Sequence, residues 1–202
     1  YEFVSIVHRS ILTRVFGVPV LDLYGSTETG HLLMQDDVGQ MRASLETAFL
    51  ELVDPDEKGI SDLVVTTLTN PYMPLIRYRI GDLLEHSETP YGHRYILHGR
   101  AADAFRISPR KRVTTLEIDR CFIDVSGVAH YQLIQSHSGK FVLRFVPEGL
   151  GPNTKAVSDL SERISQVLES STPIPIHATD MLAPESSGKF RLGYPAYNAA
   201  GE

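Results

Sequence analysis

Val20-Leu21-Asp22-Leu23-Tyr24-Gly25-Ser26-Thr27-Glu28-Thr29-Gly30 begins apolar and ends small and polar. Gly17 and Pro19 stop whatever precedes it, so Val20 to Tyr24 predicts a short buried strand that delivers a polar loop. Upstream, Val4, Val7, Ile11 and Val15 recur at helical spacing and predict a helix over 3–16.

Downstream the pattern is that of strands. Residues 48–53 and 62–69 flank the turn Asp54-Pro55-Asp56-Glu57-Lys58-Gly59, and Asn70-Pro71 ends the second run. Short strands are expected at 75–78 and 83–86 on either side of Gly81-Asp82, and a last one at 94–98 after Thr89-Pro90-Tyr91-Gly92. The character changes after Gly99-Arg100. Thr114 followed by Glu117 fits a capping box that opens a helix to about residue 124. Residues 129–136 and 140–146 flank Ser138-Gly139 as a hairpin. Val157, Leu160, Ile164 and Val167 mark a second amphipathic helix, 174–178 a strand, and the tail from Ala183 a loop. The boundary expected from these shifts lies near Gly99. It separates a β-rich region, 1–98, from a small α+β domain, 99–202, with helices on one face of a sheet.

Composition narrows the function classes. The chain has 202 residues, enough to bury a core in one or two small domains. Its net charge of -6 disfavours a sequence-independent nucleic-acid binder, which needs a basic footprint. No apolar run is long enough for a membrane span. A single cysteine, Cys121, excludes an internal disulfide and a cysteine zinc motif, and points to a cytoplasmic location. No Gly-x-Ser-x-Gly elbow and no P-loop pattern occurs.

Three segments hold groups that could carry chemistry. In Tyr24-Gly25-Ser26-Thr27-Glu28-Thr29-Gly30, hydroxyls and loop N–H groups can meet phosphate oxygens, and a carboxylate beside them can hold Mg²⁺. Standing alone, the same residues read first as a plain polar turn after a strand. In Met73-Pro74-Leu75-Ile76-Arg77-Tyr78-Arg79-Ile80-Gly81-Asp82, two arginines alternate with apolar residues, and Asp82 can accept from a ribose diol. The alternative is a strand with solvated arginines. In Glu185-Ser186-Ser187-Gly188-Lys189-Phe190-Arg191, Lys189 on a glycine-containing loop is a mobile charge suited to a phosphate, or else part of an exposed tail.

Taken in order, these segments resemble the core motifs of the adenylate-forming superfamily of acyl-CoA ligases, luciferases and peptide-synthetase adenylation domains. Tyr24-Gly25-Ser26-Thr27-Glu28 is similar to its Tyr-Gly-x-Thr-Glu motif. Arg77 to Asp82 is similar to Tyr-Arg-Thr-Gly-Asp, Gly99-Arg100-Ala101-Ala102-Asp103 to the Gly-Arg-x-Asp-Asp hinge, and Ser187 to Arg191 to the closing Gly-Lys motif. The wording of Asn70 to Asp82, with Tyr131 to Gln135 and Gly188 to Arg191, resembles the phenylacetate–CoA ligase branch.

The resemblance implies that residues 1–98 are the C-terminal part of a large adenylate-binding domain and 99–202 a small mobile C-terminal domain. It implies an AMP-forming acid–thiol ligase using ATP, Mg²⁺ and coenzyme A. Tyr24, Gly25, Ser26 and Thr27 would line the nucleotide, with Thr27 at the α-phosphate and Glu28 on Mg²⁺. Asp82 would hold the ribose hydroxyls with Arg100 nearby, and Lys189 would bridge carboxylate and α-phosphate. A carboxylic acid is the implied substrate, and coenzyme A or another thiol or amine the acceptor. The phosphate loop and much of the acyl pocket would belong to a missing N-terminal region of the same protein, so the 202-residue chain alone is expected to bind ATP weakly and make no acyl-adenylate. An exposed apolar face is expected in its first half.

Four departures stand out. Ile80 replaces the usual Thr, and Ala102 occupies the hinge position normally held by Asp or Lys. Arg106 to Val113 lacks the expected Gly. Thr89-Pro90-Tyr91-Gly92-His93 stands where many relatives carry a cysteine-rich zinc site, so no zinc is expected. Two other readings follow from the hinge and glycine losses: an adenylating protein that transfers to a carrier or amine, and a degenerate homologue kept as a binding module.

Overall fold

The computed structural model describes residues 4–90, 92–186 and 188–196. Tyr91 of the expected turn and Ser187 of the closing motif lie outside the described residues, as does residue 3 at the start of the expected helix. The chain divides into two compact units, one of residues 19–101 and one that groups 4–18 with 102–196.

The first helix, α1 (Ile6–Phe16), starts at Ser5, whose hydroxyl accepts from the His8 N–H, and stops at Gly17 in the left-handed region. Sequence order assigned it to the first region, whereas the structure groups it with the second half. The reason is a set of long-range contacts. Val7 is buried in the second half's apolar core. The Ile6 N–H donates to the Asp119 carboxylate at 2.8 Å, and the His8 and His130 rings stack with nitrogens 3.0 Å apart.

The 19–101 unit is one antiparallel sheet. Its strands are β1 (Leu23–Ser26), β2 (Gly30–Gln35), β3 (Met41–Ala43), β4 (Ala48–Val53), β5 (Ser61–Thr67), β6 (Tyr78–Thr89) and β7 (Gly92–Arg100). They lie in the order β1-β2-β3-β7-β6-β5-β4. Leu32, Leu33, Leu63, Val65, Leu83 and Leu84 are its most buried apolar side chains. Toward the β1 edge the paired Leu23 and Met34 are exposed, as is Phe49 on β4.

Three expectations need correcting here. The strand expected at 20–24 forms at 23–26 and runs into the polar motif itself. No strand forms at 75–77, and β6 begins only at Tyr78. The Thr67 and Thr66 hydroxyls accept the amides of Leu75 and Arg77, and Arg77 has φ 49°, so the chain cannot extend into a ladder there. Gly81-Asp82 does not separate two strands. β6 runs through it, with Gly81 at φ 88° and a register shift at Leu83/Leu84.

A short 3₁₀ turn (Ala101–Asp103) carries the chain across the boundary, and the second unit adds a hairpin of β8 (Phe105–Ser108) and β9 (Lys111–Val113) that patterning does not show. Next come α2 (Thr115–Arg120), β10 (Val128–Gln135), β11 (Phe141–Pro147), α3 (Thr154–Val167), β12 (Ile176–Ala178) and β13 (Gly193–Tyr194). The capping box forms as expected: Thr114 Oγ1 accepts from the Glu117 N–H while the Glu117 carboxylate accepts from the Thr114 N–H. The four-stranded sheet has the order β12-β11-β10-β13, antiparallel at β10–β11 and parallel at both edges. β13 comes from the tail expected to be a loop. Phe122 stacks on Tyr131 at 4.0 Å inside a core that includes Phe105, Leu133, Leu143, Leu160 and Ile164. Among the described residues, no helix is long and apolar enough to cross a membrane.

Candidate functional site

The Tyr24 to Gly30 motif is a β-hairpin. β1 carries Tyr24, Gly25 and Ser26, residues 27–29 turn, and Gly30 opens β2 at φ 71°. Thr29 N–H donates to Ser26 Oγ at 3.2 Å, and the two hydroxyls lie 2.9 Å apart, so the turn is tied from inside. Gly25 is required by packing: a Cβ built there would sit 2.1 Å from the Gly30 carbonyl oxygen. Thr27 and Glu28 are left at the tip, Thr27 exposed and Glu28 partly so.

β6 and β7 bring the second half of the site to this hairpin. Asp82 is directly opposite Arg100 in the β6–β7 register. Its buried carboxylate accepts from the Tyr24 hydroxyl at 2.6 Å on Oδ2, and Arg100 Nε lies 3.2 Å from Oδ1. Arg100 also reaches the Ile80 carbonyl at 3.4 Å, so its guanidinium spans the bulge around Gly81. Burial first, and then the Asp82 charge, push the Tyr24 hydroxyl far above its ordinary value, so it stays a neutral donor. Tyr78 Oη donates to Glu28 Oε1 at 3.4 Å. Hydrogen bonds from its own backbone N–H, then from Ser26, hold the Glu28 carboxyl below the ordinary range. Glu28 is therefore an anion poised on the hairpin tip.

Thus Tyr24, Asp82 and Arg100 are in direct contact, Glu28 is tied to the same unit through Tyr78, and Gly25, Ser26 and Thr27 shape the turn. Arg77 and Arg79, singled out for their alternation, are instead engaged on the surface with Glu51 and with Asp54 and Asp62. Tyr78, between them, is the contact that sequence reasoning passed over, although it stands in the same quoted run.

Lys189 belongs to the other unit and is exposed. Its loop is a tight turn in which Glu185 N–H donates to the Lys189 carbonyl at 2.9 Å and Gly188 N–H to the Glu185 carbonyl at 2.8 Å. Gly188 has φ 78°, which glycine tolerates best. Phe190 meets the His130 ring edge-on at 5.2 Å.

The donor set suits a nucleotide: a carboxylate with a cation beside it, an aromatic ring, a hydroxyl-bearing turn and one exposed acid. Among the described residues, no three His, Cys, Asp or Glu side chains gather to hold a metal by themselves. Glu28 is the carboxylate of the site that would hold a Mg²⁺ brought in with a nucleotide, where the ion would neutralise phosphate charge.

No protein-family model and no curated protein sequence matches the chain. Solved structures do. A 2-hydroxyisobutyryl-CoA ligase in the postadenylation state, in complex with R3-HIB-AMP, matches with a TM-score of 0.69 at 20% identity, over 92% of this chain and 44% of that one. The anthranilate CoA ligase AuaEII in complex with anthranoyl-AMP matches with a TM-score of 0.65 at 16% identity, over 93% and 40%. A benzoate CoA ligase from Burkholderia xenovorans LB400 matches with a TM-score of 0.57 at 20% identity, over 91% and 42%. At such identities the likeness is one of fold. The chain has the mixed α/β fold of an adenylating ligase, a β-rich part followed by a small α+β part. It spans less than half the length of these ligases.

Proposed function

We propose that this chain is the nucleotide-gripping and lysine-bearing portion of an ATP-dependent, AMP-forming enzyme that activates a carboxylic acid and passes it to coenzyme A. The observation that carries the reading is the Tyr24–Asp82–Arg100 cluster beside the Glu28 turn. Ligases of the same fold are solved with acyl-adenylates bound, which supports the same chemistry here. The rest of the ATP site and the acid pocket would come from sequence upstream of Tyr24.

In this reading Asp82 accepts from the ribose hydroxyls, Arg100 pairs with Asp82, and Tyr24 lies against the base. Thr27 donates to the α-phosphate and Glu28 takes the Mg²⁺ that ATP brings. Magnesium supplies charge neutralisation on the phosphate oxygens. Lys189 meets the oxygens on which charge grows as the acid's carboxylate attacks the α-phosphorus and pyrophosphate leaves. The wording of residues 70–82 favours an enzyme of the phenylacetate–CoA ligase branch. Ala102 at the hinge position favours a second reading of the acceptor, a carrier-bound thiol or an amine instead of coenzyme A.

The test is carboxylate-dependent exchange of pyrophosphate into ATP by a longer protein that carries this sequence, with Glu28→Ala, Asp82→Ala and Lys189→Ala beside the parent. Each variant is expected to cut exchange at least about 100-fold. An active parent indifferent to all three substitutions would reject the reading, and a parent that binds a partner protein but never exchanges pyrophosphate would favour a non-catalytic module. Dependence of product release on coenzyme A decides the acceptor.

A further inference from the structure

The chain passes from the 19–101 unit into the second unit between Ala101 and Ala102. Directly after that passage stands Asp103, a buried carboxylate. Its partner is Arg191, almost 90 residues away in sequence and two residues after Lys189. The guanidinium of Arg191 pairs with Asp103 Oδ1, donates to the Ala102 carbonyl at 3.2 Å, and reaches Glu185 Oε1 at 3.1 Å. It also lies over the Tyr194 ring, 5.0 Å from its centroid.

Each arm of this fork ends on a different segment. One holds the entry into the unit, at Ala102 and Asp103. The other holds Glu185, whose backbone closes the turn on which Lys189 sits. A second contact joins the same segments independently of the guanidinium. Gly193 packs so closely that a Cβ there would lie 2.6 Å from the Asp103 carbonyl oxygen. The tail is in turn fixed to the sheet by the β13–β10 pairing and by the Leu133 N–H donated to the Leu192 carbonyl at 2.8 Å. A partly buried, bidentate-capable cation is geometrically exacting, which suits a group that fixes position. Arg191 is only 16% exposed, whereas Lys189 is exposed.

We infer that Arg191 is a positioning residue: it fastens the Lys189 turn to the Ala102–Asp103 entry segment, so that the lysine and the passage between the units move as one body. Its bearing on catalysis rests on the function proposed above; the fastening itself does not.

Two arms of one experiment separate these. In the 202-residue chain, amide hydrogen exchange is followed in Arg191→Ala and Arg191→Lys. Arg191→Ala is expected to speed exchange at Glu185 and Gly188 at least about tenfold while the β10–β11 amides keep their rates. Arg191→Lys, which keeps the charge but loses the fork, should fall between. Should Arg191→Ala not fold, Glu185→Ala removes only the arm to the turn, and unchanged exchange at Gly188 in that variant overturns the inference. Unchanged turn exchange in a folded Arg191→Ala overturns it equally.

In a longer protein active in pyrophosphate exchange, Arg191→Ala is expected to lower kcat about 100-fold with KM for ATP within about twofold, the size of effect that a small misplacement produces. Added to Lys189→Ala it should cost nothing further, because the group it places is gone. An additive loss in the double variant would mean that Arg191 acts on stability alone and overturns the positioning role. A parent without exchange activity defeats the proposed function and leaves the fastening to be judged by hydrogen exchange.

Discussion

The Tyr24 hydroxyl donates to the buried Asp82 carboxylate at 2.6 Å and ties the polar hairpin to β6 across 58 positions of sequence. Arg100, facing Asp82 from β7, occupies the other oxygen. The carboxylate is thus preorganised by one neutral donor and one cation. Tyr24→Phe removes only the donor and leaves a buried oxygen short of a partner, at a cost of about 1–3 kcal/mol. Denaturant unfolding of the 202-residue chain, read by far-ultraviolet circular dichroism, should show that loss. Tyr24→Phe combined with Asp82→Asn should lose less than the sum of the single changes, since both act on one contact. Full additivity would mean that the two side chains do not cooperate.

Gly25 and Gly30 lie on the two strands of the same hairpin, opposite His31 and Ser26, but are required for different reasons. An alanine at 25 would drive its Cβ to 2.1 Å from the Gly30 carbonyl oxygen, a backbone atom that cannot turn aside. An alanine at 30 meets open space and pays only for a φ of 71°. Gly25→Ala is therefore expected to cost about 3 kcal/mol or more and to break the β1–β2 register, while Gly30→Ala costs about 1–2 kcal/mol. Equal losses, by thermal melting of the two variants, would show that the close approach does not decide the turn.

Much of this was legible in the residues. α3 declared itself through Val157, Leu160, Ile164 and Val167, and α2 through the Thr114 and Glu117 box, because helical spacing and caps are local signals. β4, β5, β10 and β11 were visible as β-branched and apolar runs between turns. What patterning could not supply was pairing. β8 alternates over only four residues, Phe105 to Ser108, its partner β9 opens on two basic residues, Lys111 and Arg112, with no alternation, and β13 is two residues long and exists only because β10 is beside it. The grouping of α1 with the second half depends on Ile6 meeting Asp119, a contact 113 residues apart. At the site, the order of motifs named Tyr24, Asp82 and Arg100. Their mutual contact needed the β6–β7 register, and Tyr78 on Glu28 needed the fold.

The capping box offers a sharp local test. α2 spans only six residues, too few to persist on propensity, yet it carries Ile118 into the core and Asp119 to α1. Thr114 is fully buried and its hydroxyl is the cap. Thr114→Ala should cost about 1–2 kcal/mol, and Thr114→Ser should restore most of it by returning the hydroxyl. If serine proves as damaging as alanine, the threonine methyl rather than the cap matters there.

The α1 contact also sets a pH dependence whose parts oppose. Burial pushes the Asp119 carboxyl up to about 6, although Ile6 N–H and Tyr131 Oη both donate to it. Folded Asp119 therefore binds its proton more tightly than the unfolded chain does, at an ordinary 3.8. Its stabilising contribution is fully present below 3.8 and is lost as the pH rises through about 6. His130 runs the other way. Burial first, then the neighbouring His8, push it down to about 4 from 6.5, and burial lowers His8 as well. The histidine contribution is fully present above 6.5 and is lost as the pH falls through about 4. Between pH 4 and 6 the two slopes cancel in part, so the parent chain should show a shallow profile. His130→Gln exposes the acid: stability should fall by about 2–3 kcal/mol as the pH rises from 4 to above 6, at roughly 1.4 kcal/mol for each pH unit of displacement. Asp119→Asn exposes the histidines: stability should fall as the pH drops from 6.5 to 4, by a smaller amount because His130 is only half-buried. Denaturant midpoints of the three proteins at half-unit pH steps measure this. Variant profiles that slope in the same direction would mean that the stacked imidazoles and the buried acid do not set the pH response of this unit.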